Sequence, residues 1–169
     1  SVISFRSTSW LIRLLPIETR EMHTTLAALK QQPEAWTRIP LDVNEPAALT
    51  SAFQHLTETL AVRVSQAINY GLYHPDATSY AVAPDGTVRV PRWRHAIINF
   101  PHPLLESGLV ILDTPGLNAI GTEPELTINL IPETHAVVFV LGIDTGVTKS
   151  DLDIWHQCVR AEGAPERVA

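Results

Sequence analysis

Leu109-Val110-Ile111-Leu112-Asp113-Thr114-Pro115-Gly116 (LVILDTPG) is the stretch from which the fold can be read. Four apolar residues in a row suit a strand buried on both faces, and the Asp-Thr-Pro-Gly that follows must turn. A strand that ends in a carboxylate sets Asp113 at the rim of a sheet, where open α/β folds bind ligands. There the carboxylate can hold a hydrated Mg²⁺ through water, because Mg²⁺ keeps several waters and takes few protein ligands. Gly116 lacks a Cβ, so its backbone N–H can come close to a terminal phosphate. Loss of that phosphate would release the loop after it, an order–disorder switch. The plainer alternative is a strand, a Pro-Gly turn and a solvated Asp113.

Working outward, Ala96–Phe100 (AIINF) is a second short apolar run. The turn-rich link of residues 101–108 predicts that it pairs antiparallel with 109–112. Residues 79–90 alternate around Pro84-Asp85-Gly86 and read as a β-hairpin. Asn44 followed by Pro46 predicts a helix start. Leu49, Phe53, Leu56, Leu60, Val64 and Ile68, spaced by three and four, place one continuous helix over 49–68, stopped by Gly71. Trp10–Ile17 is strand-like up to Pro16, and Ser1–Ser9 carries no readable signal. On the far side, Thr122 and Glu125 have capping-box spacing and predict a helix to Ile131. Ala136–Ile143 (AVVFVLGI) reads as a parallel central strand beside 109–112. Residues 148–151 then open a helix through Trp155 and Val159. Strands alternating with helices give an α/β class.

The bulk numbers agree with that class. The chain has 169 residues, 45% of them hydrophobic and 18% charged, enough for one domain with a core and too apolar for disorder. A net charge of −6 disfavours nucleic acid as a partner. Arg89, Arg92, Arg94 and His95 could form a small basic patch, or simply a solvated strand end. The single cysteine, Cys158, permits no internal disulfide and suits a reducing compartment. The seven histidines show no metal-ligand spacing on a common face.

FPHPLLESGLVILDTPGLNAIGTEPELTINLIPETHAVVFVLGIDTGVTKSD, Phe100–Asp151, resembles bacterial dynamin-like GTPases. A weaker likeness reaches back to RLLPIETR (Arg13–Arg20) and forward to the end. The resemblance implies a P-loop-type G domain with a mostly parallel sheet, an antiparallel strand pair before the DTPG switch, and a helical insertion. It implies that Asp113, Thr114, Pro115 and Gly116 form the nucleotide switch, with Asp113 in the second shell of Mg²⁺ through water. It implies GTP and GDP as ligands, self-association, and membrane contact of a cytoplasmic full-length protein. The family's phosphate-binding Gly-Lys-Ser/Thr is absent from the sequence and is expected upstream of residue 1. The guanine-reading motif is expected beyond residue 169, so 1–169 reads as a partial GTPase domain, itself inactive. Thr148-Lys149-Ser150-Asp151 (TKSD) spells a guanine motif but stands one strand too early, and reads as a helix cap.

Two other classes compete. Val140-Leu-Gly-Ile-Asp144-Thr145-Gly146 resembles the signature of aspartic proteases, which need two carboxylates sharing a proton. The second would have to be Asp113 or come from a homodimer. The other class is a non-catalytic, GTPase-like interaction module.

Overall fold

A computed structural model describes residues 2–4, 9–22, 24–73, 81–113, 134–138, 140, 143, 146–147, 149, 152 and 155–156. The chain divides into two compact units, Ser1–Thr122 and Glu123–Ala169.

In the first unit Leu11–Pro16 forms strand β2, after the short strand β1, Val2–Ser4. Three more strands are Thr37–Pro40 (β3), Trp93–Asn99 (β6) and Ile111–Leu112 (β7). The sheet order is β3-β2-β6-β1-β7. The longest ladder pairs β2 with β6, antiparallel from Leu11↔Asn99 to Pro16↔Trp93, with an irregularity at Leu15/Pro16. Helix α1, Leu26–Lys30, covers one face and helix α2, Pro46–Gln54, covers the other. Alternation along β2 explains the layering. Ile12 and Leu14, with Ala96 and Ile98, pack under Ala52, Leu49 and Phe53. Leu15 and Ile97 meet Leu29 and Trp36 on the opposite side. The Trp36 indole N–H donates to the Leu29 carbonyl at 2.8 Å, satisfying its one polar atom in the core.

A separate two-stranded sheet pairs Thr59–Arg63 (β4) with Thr87–Pro91 (β5), antiparallel. Leu60, Val62, Val88 and Val90 face helix α3, Val64–Asn69, together with Ile17, Tyr70 and Leu72. The other face is exposed, the usual condition of a small antiparallel sheet. Helix α3 ends as the sequence predicts, at Gly71. The Leu72 N–H bonds the Ala67 carbonyl and the Gly71 N–H bonds Ile68, each at 2.9 Å. That C-terminal motif needs the left-handed φ of +67° that Gly71 adopts. The turn at Ala83–Gly86 also forms, closed by Gly86 N–H to Ala83 carbonyl at 2.9 Å. Asp85 accepts from the Thr87 hydroxyl (2.7 Å) and N–H (3.0 Å). These bonds favour the ionised carboxylate and lower its pKa. The ladder partner of β5, however, is β4 rather than residues 81–83, and 79–80 lie outside the described residues.

Several expectations are overturned. The continuous helix over 49–68 is two helices, α2 and α3, separated by a 3-10 turn at His55–Thr57 and by β4. Apolar spacings of four and four leave Leu60 and Val62 free to alternate as a strand, and the ladder to β5 rewards that choice. Helix α2 also starts one residue later than Asn44 suggests. Its cap residue is Glu45, with Pro46 in the first turn, while the Asn44 N–H bonds the Asp42 carboxylate at 3.0 Å. The unreadable N-terminus contains β1, which inserts between β6 and β7. The 96–100 and 109–112 runs do have opposite directions, but they are not direct partners. The sheet is mixed rather than mostly parallel, and its one parallel pair among the described residues is β1–β6. Residues 136–138, 140 and 143 are not in a strand. Val138 and Val140 are more than four-fifths exposed. An apolar run becomes a buried strand only when neighbours pair with its backbone, and no described strand pairs with this one. Lys149 and Leu152 are helical, in keeping with a helix after 148. The predicted helix 122–131 lies outside the described residues.

Leu14 is fully buried and Met22 is 58% exposed. In urea denaturation of the whole chain, Leu14→Ala should lower stability by roughly 2–5 kcal/mol. Met22→Ala should change it by less than about 0.5 kcal/mol. Equal effects would contradict the layering around β2.

Candidate functional site

Asp113 is positioned by what precedes it. His102 caps helix α4, Pro103–Glu106, its Nδ1 accepting from the Leu104 N–H at 3.3 Å. The helix closes with the Leu109 N–H on the Leu104 carbonyl and the Gly108 N–H on Leu105, both at 3.1 Å. Gly108 supplies the required positive φ of +100°. Leu105 is buried and anchors this turn. The chain then reverses into β7, which runs antiparallel to β1 through Ile111↔Ile3 and Leu112↔Val2. Leu112, Val2, Ile97, Arg13 and Arg38 stand in one cross-sheet row. Asp113 follows that row by one residue, at the rim of the sheet, and is exposed.

The strand directions differ from those of an open parallel sheet. Asp113 lies at the carboxyl end of its own strand, but β1 and β6 begin at that rim because both run opposite to β7. Among the described strands the carboxyl ends at that rim are those of β7 and of β2, which are separated by β6 and β1. Residues 109–112, expected to be buried, are each about two-fifths exposed, and the strand proper is Ile111–Leu112. Among the described residues this strand has one ladder partner, which leaves its apolar side chains half-exposed.

Thr114, Pro115 and Gly116 lie outside the described residues, as do Asp144, Thr148, Ser150 and Asp151. Asp113 is a single carboxylate, and among the described residues no group of three or more His, Cys, Asp or Glu side chains could hold a metal. One exposed carboxylate suits an outer-shell contact through water and does not make a chelating set. No helix among the described residues is long and apolar enough to cross a membrane.

The other charged residues serve the fold. Arg89 Nε and Nη2 bond the Thr59 hydroxyl at 3.1 and 2.9 Å. Arg94 Nη1 reaches the Thr19 carbonyl at 3.4 Å. Arg92 lies over the Trp93 ring at 5.1 Å, with its Nε 3.5 Å from a Glu58 oxygen. The arginines near 89–95 thus go to three separate partners and do not converge on a shared site. Sequence reasoning missed the ring that Arg92 completes. His55 Nδ1 lies 2.5 Å from the other Glu58 oxygen, and the Trp93 indole N–H donates to the His55 carbonyl at 2.7 Å. Its members come from positions 55, 58, 92 and 93, so no local spacing announces it. A shallow cleft of about 420 Å³ along α2, lined by Leu49, Thr50, Phe53, Gln54 and Thr57, holds no charged group.

No protein-family model matches the chain. Part of it is homologous to bacterial dynamin-like proteins. It is 36% identical over 69 residues to "Bacterial dynamin-like protein" of Nostoc punctiforme, covering 41% of this chain and 10% of that protein. It is 35% identical over 94 residues to "Isoniazid-induced protein IniA" of Mycobacterium tuberculosis, covering 48% of this chain and 14% of that protein. The chain therefore spans between a tenth and a seventh of the curated relatives it matches. No solved structure matches.

Because Asp113 is exposed at a rim, its charge contributes little to the core. Asp113→Asn should keep the unfolding free energy within about 1 kcal/mol of the parent in urea denaturation. A larger loss would assign Asp113 a structural role.

Proposed function

We propose, with the partial homology to dynamin-like proteins as premise, that this chain is a segment of the nucleotide-binding domain of a dynamin-like GTPase. Its Asp113–Gly116 segment would sense the terminal phosphate. The observation that carries the reading is local: a capped turn and strand β7 deliver Asp113, exposed, to a sheet rim at the head of Thr-Pro-Gly. Mg²⁺, when bound with GTP, neutralises charge on the phosphate oxygens. Asp113 would orient one of the waters around that ion. Gly116 would bring a backbone N–H to the phosphate that leaves, and Thr114 and Pro115 would shape the turn between them. The reading requires a Gly-rich phosphate loop and a guanine reader supplied by residues outside 1–169, since the sequence contains no Gly-Lys-Ser/Thr. On this reading Asp151 would serve a helix cap and not the guanine base. Nucleotide turnover in the full-length protein separates this reading from a non-catalytic interaction module.

In the full-length protein, Gly116→Ala should slow GTP hydrolysis roughly 100-fold, because a methyl group displaces the phosphate from its N–H. Asp113→Ala should weaken Mg²⁺-dependent nucleotide binding by about tenfold. Unchanged turnover and binding in both variants would remove the segment from the active site.

Asp151→Asn tests the base reader. Guanine specificity should persist, at a stability cost of about 1 kcal/mol or less. A switch of preference to xanthosine triphosphate in that variant would make TKSD the guanine motif.

A further inference from the structure

The exposed face of the small sheet carries chemistry that nucleotide binding does not use. Thr59, Ala61 and Arg63 of β4 stand opposite Pro91, Arg89 and Thr87 of β5. One guanidinium grips one hydroxyl there. Arg89 Nε and Nη2 both donate to Thr59 Oγ1, at 3.1 and 2.9 Å. Two parallel N–H groups of a guanidinium match two oxygens of a phosphate or carboxylate. A hydroxyl oxygen offers them one acceptor to share. Ala61 faces Arg89 across the ladder, so the space beside the guanidinium is bounded by a methyl group. Arg63, on the same face and exposed, is diagonal to Arg89. The nearest carboxylate in sequence, Glu58, already meets His55 and Arg92.

We propose that Thr59 is a phosphorylation site whose phosphate is held by Arg89. Thr59 is exposed at the start of β4, and β4 has β5 as its single ladder partner among the described residues. It therefore offers an extended backbone edge, the form in which enzymes take up peptide segments by strand addition. A protein kinase transfers the terminal phosphoryl group of a nucleoside triphosphate. The bond from Thr59 Oγ1 to phosphorus forms and the bond from phosphorus to the bridging oxygen breaks. The nucleoside diphosphate leaves, and the hydroxyl proton passes through the kinase's base to solvent. Arg89 then exchanges a shared hydroxyl contact for a bidentate, charge-assisted one on the phosphate, with Arg63 adding a second positive charge on that face. The consequence is a tighter β4–β5 sheet, and with it a firmer seat for Ile17 and Tyr70 in the same core.

Three measurements test this. Mass spectrometry of the full-length protein from its own cells should find phosphate on Thr59 in the peptide that ends at Arg63. Thr59 unmodified while other sites carry phosphate overturns the proposal. Phosphothreonine installed at position 59 of the whole chain should raise Tm by roughly 2–4 °C. The gain should vanish in Arg89→Gln. In ³¹P NMR the second ionisation of the phosphate should occur at lower pH than in Arg89→Gln, because the guanidinium favours the dianion. A phosphate that titrates identically with and without Arg89, or that lowers Tm, would also overturn it.

Discussion

Pairing of β2 with β6 is the constraint from which the rest of the first unit follows. Both strands carry apolar side chains on both faces. Ile12, Leu14, Ala96 and Ile98 need the cover of α2, and Leu15 and Ile97 need that of α1 and Trp36. Once the ladder runs from Leu11↔Asn99 to Pro16↔Trp93, the free edge of β6 accepts β1 and that of β2 accepts β3. The end of the ladder also sets residues 17 and 92 side by side, where the Ile17 N–H bonds the Arg92 carbonyl at 3.0 Å. That bond ties the large sheet to the small one.

The junction between the sheets is held by polar groups whose partners come from distant parts of the chain. Arg92 gives its N–H to the Glu58 carbonyl at 2.9 Å and its side chain to the Glu58 carboxylate, while Trp93 binds His55. Arg20 Nη1 caps the Tyr70 carbonyl at 2.5 Å across the same seam. Exposed ion pairs contribute little, a median of about 0–1 kcal/mol each. The value of these contacts is directional: they fix where β4 and β5 sit, and the burial of Ile17, Val88 and Val90 supplies the stabilisation. The Thr59–Arg89 pair lies on the opposite, solvent face of the same two strands. A charge added there changes the small sheet without touching β7 or Asp113.

A chemical signal can be legible while its setting is not. The Asp-Thr-Pro-Gly stretch stands out in the sequence because a carboxylate and two turn-forming residue types follow an apolar run within four positions. The rim that carries Asp113 could not be read so well. The unbroken apolar run of 109–112 suggests a central strand, whereas β7 is a short edge with half-exposed side chains. An unbroken apolar run says that its side chains prefer to be covered. It does not say which neighbour covers them, or on which side.

The sequence by itself determined the pieces whose cause is local. Pro16 closes β2, Gly71 ends α3 through a left-handed residue, and Pro84-Asp85-Gly86 turns the chain before β5. Each rests on a φ restriction or a hydrogen bond spanning a few residues. Tertiary structure alone decided that 59–63 leaves the helical pattern to become a strand, that β1 enters between β6 and β7, and that the sheet is mixed. Leu60 and Val62 fit a helix stripe and a strand face equally well. The choice belongs to β5, whose Val88 and Val90 lie opposite them in the ladder, across about thirty residues of chain that no local spacing can span.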